Sequence, residues 1–398
     1  ILSIVAKNKD NRKVFGMLTQ QVLKNELPPQ MRDLLLSSKL IALFKTESQE
    51  ASQVRPIAVA ERVMTSIDSF VLAVTLHDSI TDQFNPKSDN LVHQLGIGIP
   101  GGCEVALHKL NCIADEAIQQ NNMELVICKL DIINAFNTLS RKTIKQMVRT
   151  NPKLSKFIDY FEFLYDNPSD LFFVDSSGKV HILKSRSGVP QGRPTSSLIF
   201  CLALNVFLQE ILNQVGSVWA VCIMDDIHLY GDANKVSLAI HRIKTDFVSK
   251  LGLNINSQKC HILSPFADVT TIHPNVTKIA EDHGFKLSFG SFETLGAFIG
   301  SPSLAQVYEV MHKELKVILD HLNHKLDEHL DRQIYSLIVL YSVVSKLNYW
   351  SRVMRPSIFI PAAKQIYVLV VDHYLSKMNI DPRSLSDFQR RQLSLPVG

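Results

Sequence analysis

Apolar residues along this chain follow two patterns: short runs of β-forming residues, and longer stretches with helical spacing. The run VCIMDDIHLYG, residues 221–231, places Asp225 and Asp226 between two apolar segments and ends on a glycine. This pattern predicts a β-hairpin with the two aspartates at its turn. A tight turn can bring both carboxylates to one place, where a cation would offset their repulsion. The pair therefore indicates either a divalent metal site or an ordinary polar turn.

Other apolar runs predict the strands that accompany this hairpin. The run LVICKL, residues 125–130, is apolar nearly throughout, as in a buried central strand, and Asp131 follows at its end. Runs at 40–44 and 54–59 predict a hairpin with Lys45 and Arg55 near its inner ends. Such a hairpin can grip a phosphate or can simply lie at the surface. Residues 171–174 and 179–183 predict another hairpin, and residues 253–255 a further strand.

Helical spacing occupies much of the remaining chain. It predicts helices within residues 15–43, broken at two prolines, and over 61–77, 103–119, 198–212 and 233–251. After residue 302 the spacing continues over 304–326, 333–354 and 361–378, with Ser303 as the first N-cap. This order of elements predicts an α+β fold, with helices on one face of a sheet and an all-helical terminal subdomain.

Two loops are rich in glycine or proline. The segment GIGIPGG, residues 96–102, matches no phosphate-binding spacing, so we expect a backbone bend between subdomains. The segment SGVPQGRPTSS, residues 187–197, predicts a fixed, non-repetitive loop. In that loop Thr195 and Ser196 are candidates to cap the following helix.

Composition narrows the class of protein only slightly. Hydrophobic residues make up 46% of the chain and charged residues 20%, as in folded proteins, and a formal net charge of +4 excludes a densely basic coat protein. The six cysteines form no Cys-x-x-Cys pair, which favours reduced thiols in an intracellular protein. Uninterrupted apolar runs are too short to span a membrane, so no membrane partner is expected. Because the chain begins at Ile1, we expect a region of a longer polypeptide.

Taken together, the motifs resemble the polymerase region of reverse transcriptases, especially those of non-LTR retrotransposons and related retroelements. The matching segments follow the family's order: Lys45 and RPI at 55–57, DIINAF at 131–136, GVPQGRPTS at 188–196, IMDD at 223–226, Lys259 in NSQKC, LG at 295–296 with IG at 299–300, and LSLPVG at 393–398. The resemblance implies a right-hand polymerase fold with fingers over residues 1–120, a palm over 121–302 and a helical thumb over 303–398.

The resemblance also implies nucleotidyl transfer from dNTPs to the 3′-hydroxyl of a DNA primer on an RNA template, with DNA templates used as well. Two Mg²⁺ ions, with Mn²⁺ as a substitute, would stabilise the attacking and leaving oxygens. Asp131, Asp225 and the backbone carbonyl of Ile132 would hold them. Asp226 would be the third acidic member, although its charge could instead support the turn.

The resemblance also implies roles for three basic residues in binding the triphosphate and releasing pyrophosphate. Lys45 and Arg55 would hold the triphosphate, the lysine as a point charge and the arginine as a planar fork. Lys259 would act as the general acid toward the leaving pyrophosphate, or it is simply a surface lysine.

Phe136 falls where the family places its steric gate against a ribose 2′-hydroxyl, unless it is only a core aromatic. Gln191 and Gly192 would lie against the nucleotide and the template. RNA-dependent RNA polymerases, the first alternative, carry an acidic residue at the position of Phe136. A catalytically silent polymerase-derived protein, the second alternative, would gain nothing from clustered carboxylates.

The chain departs from the family pattern at two positions. Ile223 stands where an aromatic residue usually begins the third motif, and Arg193 stands where an acidic or small residue is common. Neither change removes a predicted metal ligand, so we expect an active enzyme. A nuclear location follows only from the retrotransposon resemblance, and the oligomeric state stays open.

Overall fold

The computed structural model describes residues 7–44, 54–77, 84, 90–325, 331–378 and 380–386. Lys45 and the motif at 393–398 lie outside these residues. The chain packs into two compact units, one made of residues 1–106 and 120–288 and the other of residues 107–119 and 289–398. The finer division into fingers, palm and thumb at residues 120 and 302 stays a prediction.

Helices and strands alternate through the first unit, as the periodicity predicted. In chain order the elements are α1 (Lys9–Leu23), α2 (Pro29–Leu36), β1 (Ser38–Phe44), β2 (Val54–Ala60), α3 (Arg62–His77), β3 (Val92–Gln94), α4 (Gly102–Gln119), β4 (Leu125–Leu130), α5 (Ala135–Thr138), α6 (Arg141–Thr150), α7 (Ile158–Tyr165), β5 (Ser169–Val174), β6 (Val180–Ser185), α8 (Pro194–Val215), β7 (Val218–Ile223), β8 (Asp226–Asp232), α9 (Ala233–Asp246), β9 (His261–Ser264), α10 (Pro274–His283) and β10 (Lys286–Phe289). Residues 107–119 of α4 belong to the second unit.

A six-stranded sheet carries the centre of the first unit. Its strand order is β10-β9-β4-β8-β7-β3, with β4 antiparallel to β8 and β9, and β3 parallel to β7. The predicted central strand is confirmed, because Val126, Cys128 and Leu130 of β4 are fully buried. The apolar helix α8 packs on β3 and β7, and α9 packs on β4, β7 and β8. This packing explains why both helices show a long buried face.

A second sheet in the same unit has the order β2-β1-β5-β6. β1 pairs antiparallel with β2, and β5 pairs antiparallel with β6, so both predicted hairpins are confirmed. A short parallel pairing of β1 with β5 joins the two hairpins into one sheet.

The described residues of the second unit form helices and one small hairpin. Besides part of α4 it contains β11 (Ser291–Thr294), β12 (Ala297–Gly300), α11 (Leu304–Lys325), α12 (Arg332–Val339), α13 (Ser345–Val353) and α14 (Pro356–Lys377). Ser303 is confirmed as the N-cap of α11, since its hydroxyl accepts the N–H of Gln306 and the Gln306 side chain accepts the N–H of Ser303. At the β11–β12 turn, the carbonyls of Leu295 and Gly296 accept hydrogen bonds from Tyr349 and Trp350 of α13.

Three local predictions were wrong. Residues 253–255 form no strand; Ile255 makes only an isolated bridge to Ile132, and the next strand is β9. Thr195 and Ser196 do not cap α8, because Pro194 already occupies its first turn and Arg193 is the N-cap residue. The last long helix begins at Pro356 rather than at Pro361, which lies inside it.

Two helices are long and apolar enough to cross a membrane by length and composition, α8 and α14. The sequence contains no long uninterrupted apolar run, so no spanning segment was expected. These two helices nevertheless have a high mean hydropathy, because the charged residues within them are few. In α8 most of the apolar window is buried inside the first unit, as in the core helix of a folded domain.

Candidate active site

Strands β7 and β8 form the predicted hairpin, and its turn consists of Met224 and Asp225. The last pair of the ladder is Ile223 with Asp226, so the prediction that both aspartates form the turn was wrong for Asp226, which is the first residue of β8. Strand β4 pairs with β8 up to Leu130 and Ile227. Continuing that register by one residue places Asp131 opposite Asp226, at the same edge of the sheet.

The carboxylate of Asp225 is mostly buried, and its surroundings disfavour its ionised form. Burial raises its pKa, and the nearby Asp226 and Asp131 carboxylates raise it further, whereas Arg55 lowers it. A bound divalent cation would offset both the desolvation and the repulsion between the carboxylates.

A polar cleft of 510 Å³ opens beside the turn. Its lining brings together six residues that the sequence predicted for the site, from five separate segments of the chain. These are Arg55, Asp131, Phe136, Gln191, Asp225 and Lys259. Ile132, whose carbonyl was predicted to be a ligand, also lines the cleft. Gly192 and Asp226 are not part of this lining, and Lys45 lies outside the described residues.

Asp226 has a different neighbour from the other two aspartates. Its carboxylate lies 3.5 Å from the Nζ of Lys129, which stands on β4 two residues before Asp131. In the part of the chain that the structure describes, no three His, Cys, Asp or Glu side chains form a group that could hold a metal ion. Asp131 and Asp225 therefore both line the cleft, whereas Asp226 forms an ion pair with Lys129. A metal-binding role for Asp226 stays a prediction.

Phe136 lines the cleft and rests on a second aromatic ring. Its ring stacks on Phe200 of α8, with centroids 4.6 Å apart and an interplanar angle of 17°. Phe200 is fully buried, so the ring of Phe136 has a rigid support. The backbone carbonyl of Phe136 accepts the N–H of Val189, which ties this aromatic residue to the loop before α8.

Gly188 shows why that loop needs a glycine. Its φ is +67°, and a Cβ would lie 2.3 Å from the carbonyl oxygen of Phe136.

In the same loop, the carbonyl of Gln191 accepts the N–H of Ala58 on β2. Gln191 is therefore attached to the strand that carries Arg55.

Arg193, for which the sequence offered no explanation, forms a buried ion pair with Asp68 of α3. The Arg193 Nε lies 2.8 Å from Asp68, and neither side chain is more than 5% exposed. Asp68 also accepts hydrogen bonds from the hydroxyls of Tyr160 on α7 and Thr195 on α8. Three helices and the loop before α8 thus meet at one carboxylate.

The electrostatics of this cluster follow from its burial. Burial alone would lower the pKa of Arg193, but the carboxylate of Asp68 more than compensates, and the pKa is raised. Burial also raises the pKa of Tyr160, and Asp68 adds to that effect. Arg193 is therefore a permanent cation, and Tyr160 stays a neutral hydrogen-bond donor.

Lys259 belongs to a single 3₁₀ turn, Ser257–Lys259, whose position is fixed by backbone contacts at Asp131. The carbonyl of Asp131 accepts the N–H of Asn256, and the N–H of Asp131 points to the Sγ of Cys260. The Lys259 side chain is exposed and borders the cleft. This placement is compatible with both of the roles considered from the sequence.

Sequence reasoning missed three residues that hold the site in place. Asp68 and Lys129 each pair with a residue that the motifs had singled out, and Gln94 contacts the turn between β7 and β8. The unusual Arg193 was a usable signal, since a buried arginine requires a carboxylate. Nothing in the sequence near Gln94 or Lys129 indicates their partners.

A sheet that presents two carboxylates beside a cation and an aromatic ring in one polar cleft fits a template-directed nucleic-acid polymerase. The profile of the family "Reverse transcriptase (RNA-dependent DNA polymerase)" matches residues 45–297, more than half of the chain. The chain belongs to the reverse transcriptase family, and the predicted right-hand polymerase fold and retroelement kinship are confirmed. This family uses divalent metal ions.

The individual proteins that the chain resembles share only a small fraction of identical residues with it. The chain is 26% identical over 216 residues to the retrovirus-related Pol polyprotein from type-2 retrotransposable element R2DM of Drosophila melanogaster, covering 52% of this chain and 19% of that protein. Among solved structures it is similar to telomerase from Candida albicans bound to a TWJ fragment of telomeric RNA, with 12% identity, a TM-score of 0.45 and coverage of 92% and 63% of the two chains. It is also similar to apo telomerase from Candida tropicalis, with 11% identity, a TM-score of 0.48 and coverage of 88% of this chain and 63% of that chain.

Proposed function

We propose that this chain is the catalytic region of a retroelement polyprotein and extends a DNA primer with dNTPs on an RNA template, and on a DNA template as well. The convergence of six predicted residues on one cleft carries the proposal, because those residues come from five separate segments. A catalytically silent descendant would have no need to keep two carboxylates in one cleft, where burial and neighbouring carboxylates raise the pKa of Asp225.

The donor set supports binding of a hard divalent cation. Asp131 and Asp225 share the cleft, and Mg²⁺ typically uses one or two carboxylates together with water and substrate phosphates. Two Mg²⁺ ions held by these carboxylates and the carbonyl of Ile132 would stabilise the attacking and leaving oxygens of the transfer.

Side chains of the protein would bind the nucleotide and select its sugar. Arg55 would offer a planar fork to the triphosphate, and Lys259, which lines the same cleft, would protonate the leaving pyrophosphate. Phe136, whose ring stacks on Phe200, would occupy the space that a ribose 2′-hydroxyl needs. Gln191, held by the backbone of Ala58, would contact the nucleotide.

Primer extension on RNA and DNA templates, with Mg²⁺ or Mn²⁺, tests the proposal. We expect extension on both templates and complete loss of it in EDTA. Asp225→Asn keeps the shape of the side chain but removes a metal ligand, so it should reduce extension by at least about 1,000-fold while template binding stays unchanged. A folded wild-type chain that extends no primer under these conditions would refute the proposal.

The choice of sugar is tested with Phe136→Ala. Removing the ring should raise incorporation of rNTPs relative to dNTPs by about 10-fold to 100-fold, since the space for the 2′-hydroxyl becomes free. Val54→Ala, a substitution elsewhere in the lining of the cleft, serves as the matched control. An unchanged ratio in Phe136→Ala would show that this ring is only a packing residue.

A further inference from the structure

Gln94 reaches the catalytic turn from the neighbouring strand. It is the last residue of β3, which runs parallel to β7 and pairs Gln94 with Cys222. The next residue, Leu95, continues this ladder by donating its N–H to the carbonyl of Cys222 at 2.8 Å. Gln94 is only 1% exposed, so its side-chain amide has no access to water and depends on partners within the protein.

The amide of Gln94 binds both backbone groups of Met224. Its Oε1 accepts the N–H of Met224 at 2.9 Å, and its Nε2 donates to the carbonyl of Met224 at 3.1 Å. The same Oε1 accepts the N–H of Gly96 at 3.1 Å. Only one orientation of the amide satisfies these three hydrogen bonds, because two of the partners are donors and the third is an acceptor.

Met224 needs this support because of its backbone conformation. It is the first of the two turn residues and has a φ of +54°, in the left-handed region where a Cβ is unfavourable. Two-residue hairpin turns require a positive φ at this position and usually place glycine or asparagine there. Gly96 lies directly against the turn, since a Cβ on it would be 2.6 Å from the Met224 nitrogen.

We propose that Gln94 is a positioning residue of the active site. By holding both backbone groups of Met224, it fixes the direction in which the next residue, Asp225, enters the cleft. The role rests on the proposed polymerase function, in which Asp225 is a metal ligand. An apolar side chain of similar size would fill the space but leave three backbone groups without partners.

The fold offers a matched control for this role. Gln209 of α8 also uses its side chain to bind the backbone of the same segment, accepting the N–H groups of Leu91 and Val92. Neither of these hydrogen bonds involves the turn residues Met224 and Asp225. Gln94→Leu and Gln209→Leu therefore both remove side-chain hydrogen bonds to the backbone in or beside β3, but only Gln94→Leu acts on Met224.

The first experiment reads the turn directly and does not depend on activity. Methionine methyl groups are labelled with ¹³C, and the Met224 signal is identified by its loss in Met224→Leu. In Gln94→Leu the Met224 signal should move by more than its linewidth or broaden, whereas in Gln209→Leu it should stay in place. A Met224 signal in Gln94→Leu that superimposes on wild type would overturn the proposal.

The second experiment measures catalysis by the folded fraction of each variant. Gln94→Leu should lower the rate of primer extension about 100-fold and raise the Mg²⁺ concentration needed for half-maximal rate, with template binding unchanged. Gln209→Leu should keep the wild-type rate and Mg²⁺ dependence. Equal effects of the two substitutions would assign Gln94 a merely structural role.

Gln94→Glu adds a pH signature, which is measured as the rate per folded molecule because a buried carboxyl group also makes stability depend on pH. A protonated glutamic acid can donate to the Met224 carbonyl and accept from both N–H groups, whereas the ionised form has no donor. The rate of Gln94→Glu relative to wild type should therefore rise at least about 5-fold from pH 8 to pH 6. A flat ratio would overturn the proposal. A wild-type chain without activity would refute the polymerase function, and the Met224 signal would still decide the role of Gln94.

Discussion

Replacing Asp68 by alanine tests the buried ion pair that holds the loop before α8. The substitution leaves Arg193 charged and buried, and it removes the acceptor of the Thr195 and Tyr160 hydroxyls. Breaking a buried pair in this way typically costs about 3–5 kcal/mol, because the remaining charge has no compensation. We expect Asp68→Ala to lower the free energy of unfolding of the first unit by about that amount.

A double variant separates the charge from the packing. In Asp68→Leu/Arg193→Met both charges are gone and apolar groups of similar size fill the space. Such replacements of buried ion pairs are often neutral or stabilising, so the double variant should lie within about 1–2 kcal/mol of wild type. Both variants lack the acceptor of the Tyr160 and Thr195 hydroxyls, so the difference between them measures the cost of the unpaired arginine together with the packing of the introduced apolar side chains.

The two tryptophans of the chain allow the first unit to be followed by itself. Trp219 lies on β7 and stacks on Tyr230, whereas Trp350 belongs to the second unit. In a Trp350→Phe background, urea unfolding monitored by fluorescence reports the environment of Trp219 alone. A loss below about 1 kcal/mol in Asp68→Ala, or a double variant as unstable as the single one, would refute the reasoning.

Two further predictions concern backbone conformation and pH. Gly188→Ala should destabilise the first unit by at least about 3 kcal/mol in urea unfolding, because a Cβ collides with the Phe136 carbonyl at a φ of +67°. Gly178→Ala, at a φ of +83° in open space, should cost only about 1 kcal/mol; similar losses would show that the collision relaxes. Burial lowers the pKa of His228 to about 3, so its neutral form is favoured in the fold. The unfolded chain binds this proton below pH 6.5, and stability should fall between pH 6.5 and pH 3, by about 2 kcal/mol at pH 5. His228→Leu should flatten this part of the pH dependence, and an unchanged slope would contradict the assignment.

The sequence predicted those elements whose residues carry local information. The run at 125–130 forms a buried strand because it is apolar on both faces, and the run at 221–231 forms a hairpin because two segments of β-formers flank a short turn that contains Asp225. The motif order then predicted six residues that meet in one cleft. Such residues are recognisable because a shared chemical task restricts their type and spacing.

The missed features depend on partners that are distant in sequence. Thr195 looked like a helix cap, but its hydroxyl contacts Asp68, 127 residues away. Gln94 binds backbone groups, which every residue possesses, so its partner leaves no trace in the sequence. The predicted strand at 253–255 failed because its ladder pairing is limited to a single isolated bridge, between Ile255 and Ile132.

The catalytic hairpin has no spare length. Its turn contains only two residues, and its strands are paired on the outside with β4 and β3. Inserting or deleting one residue would shift β8 by one position and turn Ile227 and Leu229, both fully buried, to the opposite face. A substitution such as the isoleucine at position 223 leaves the pairing with Asp226 intact. Natural variation at this site is therefore expected as changes of residue type and not as insertions or deletions.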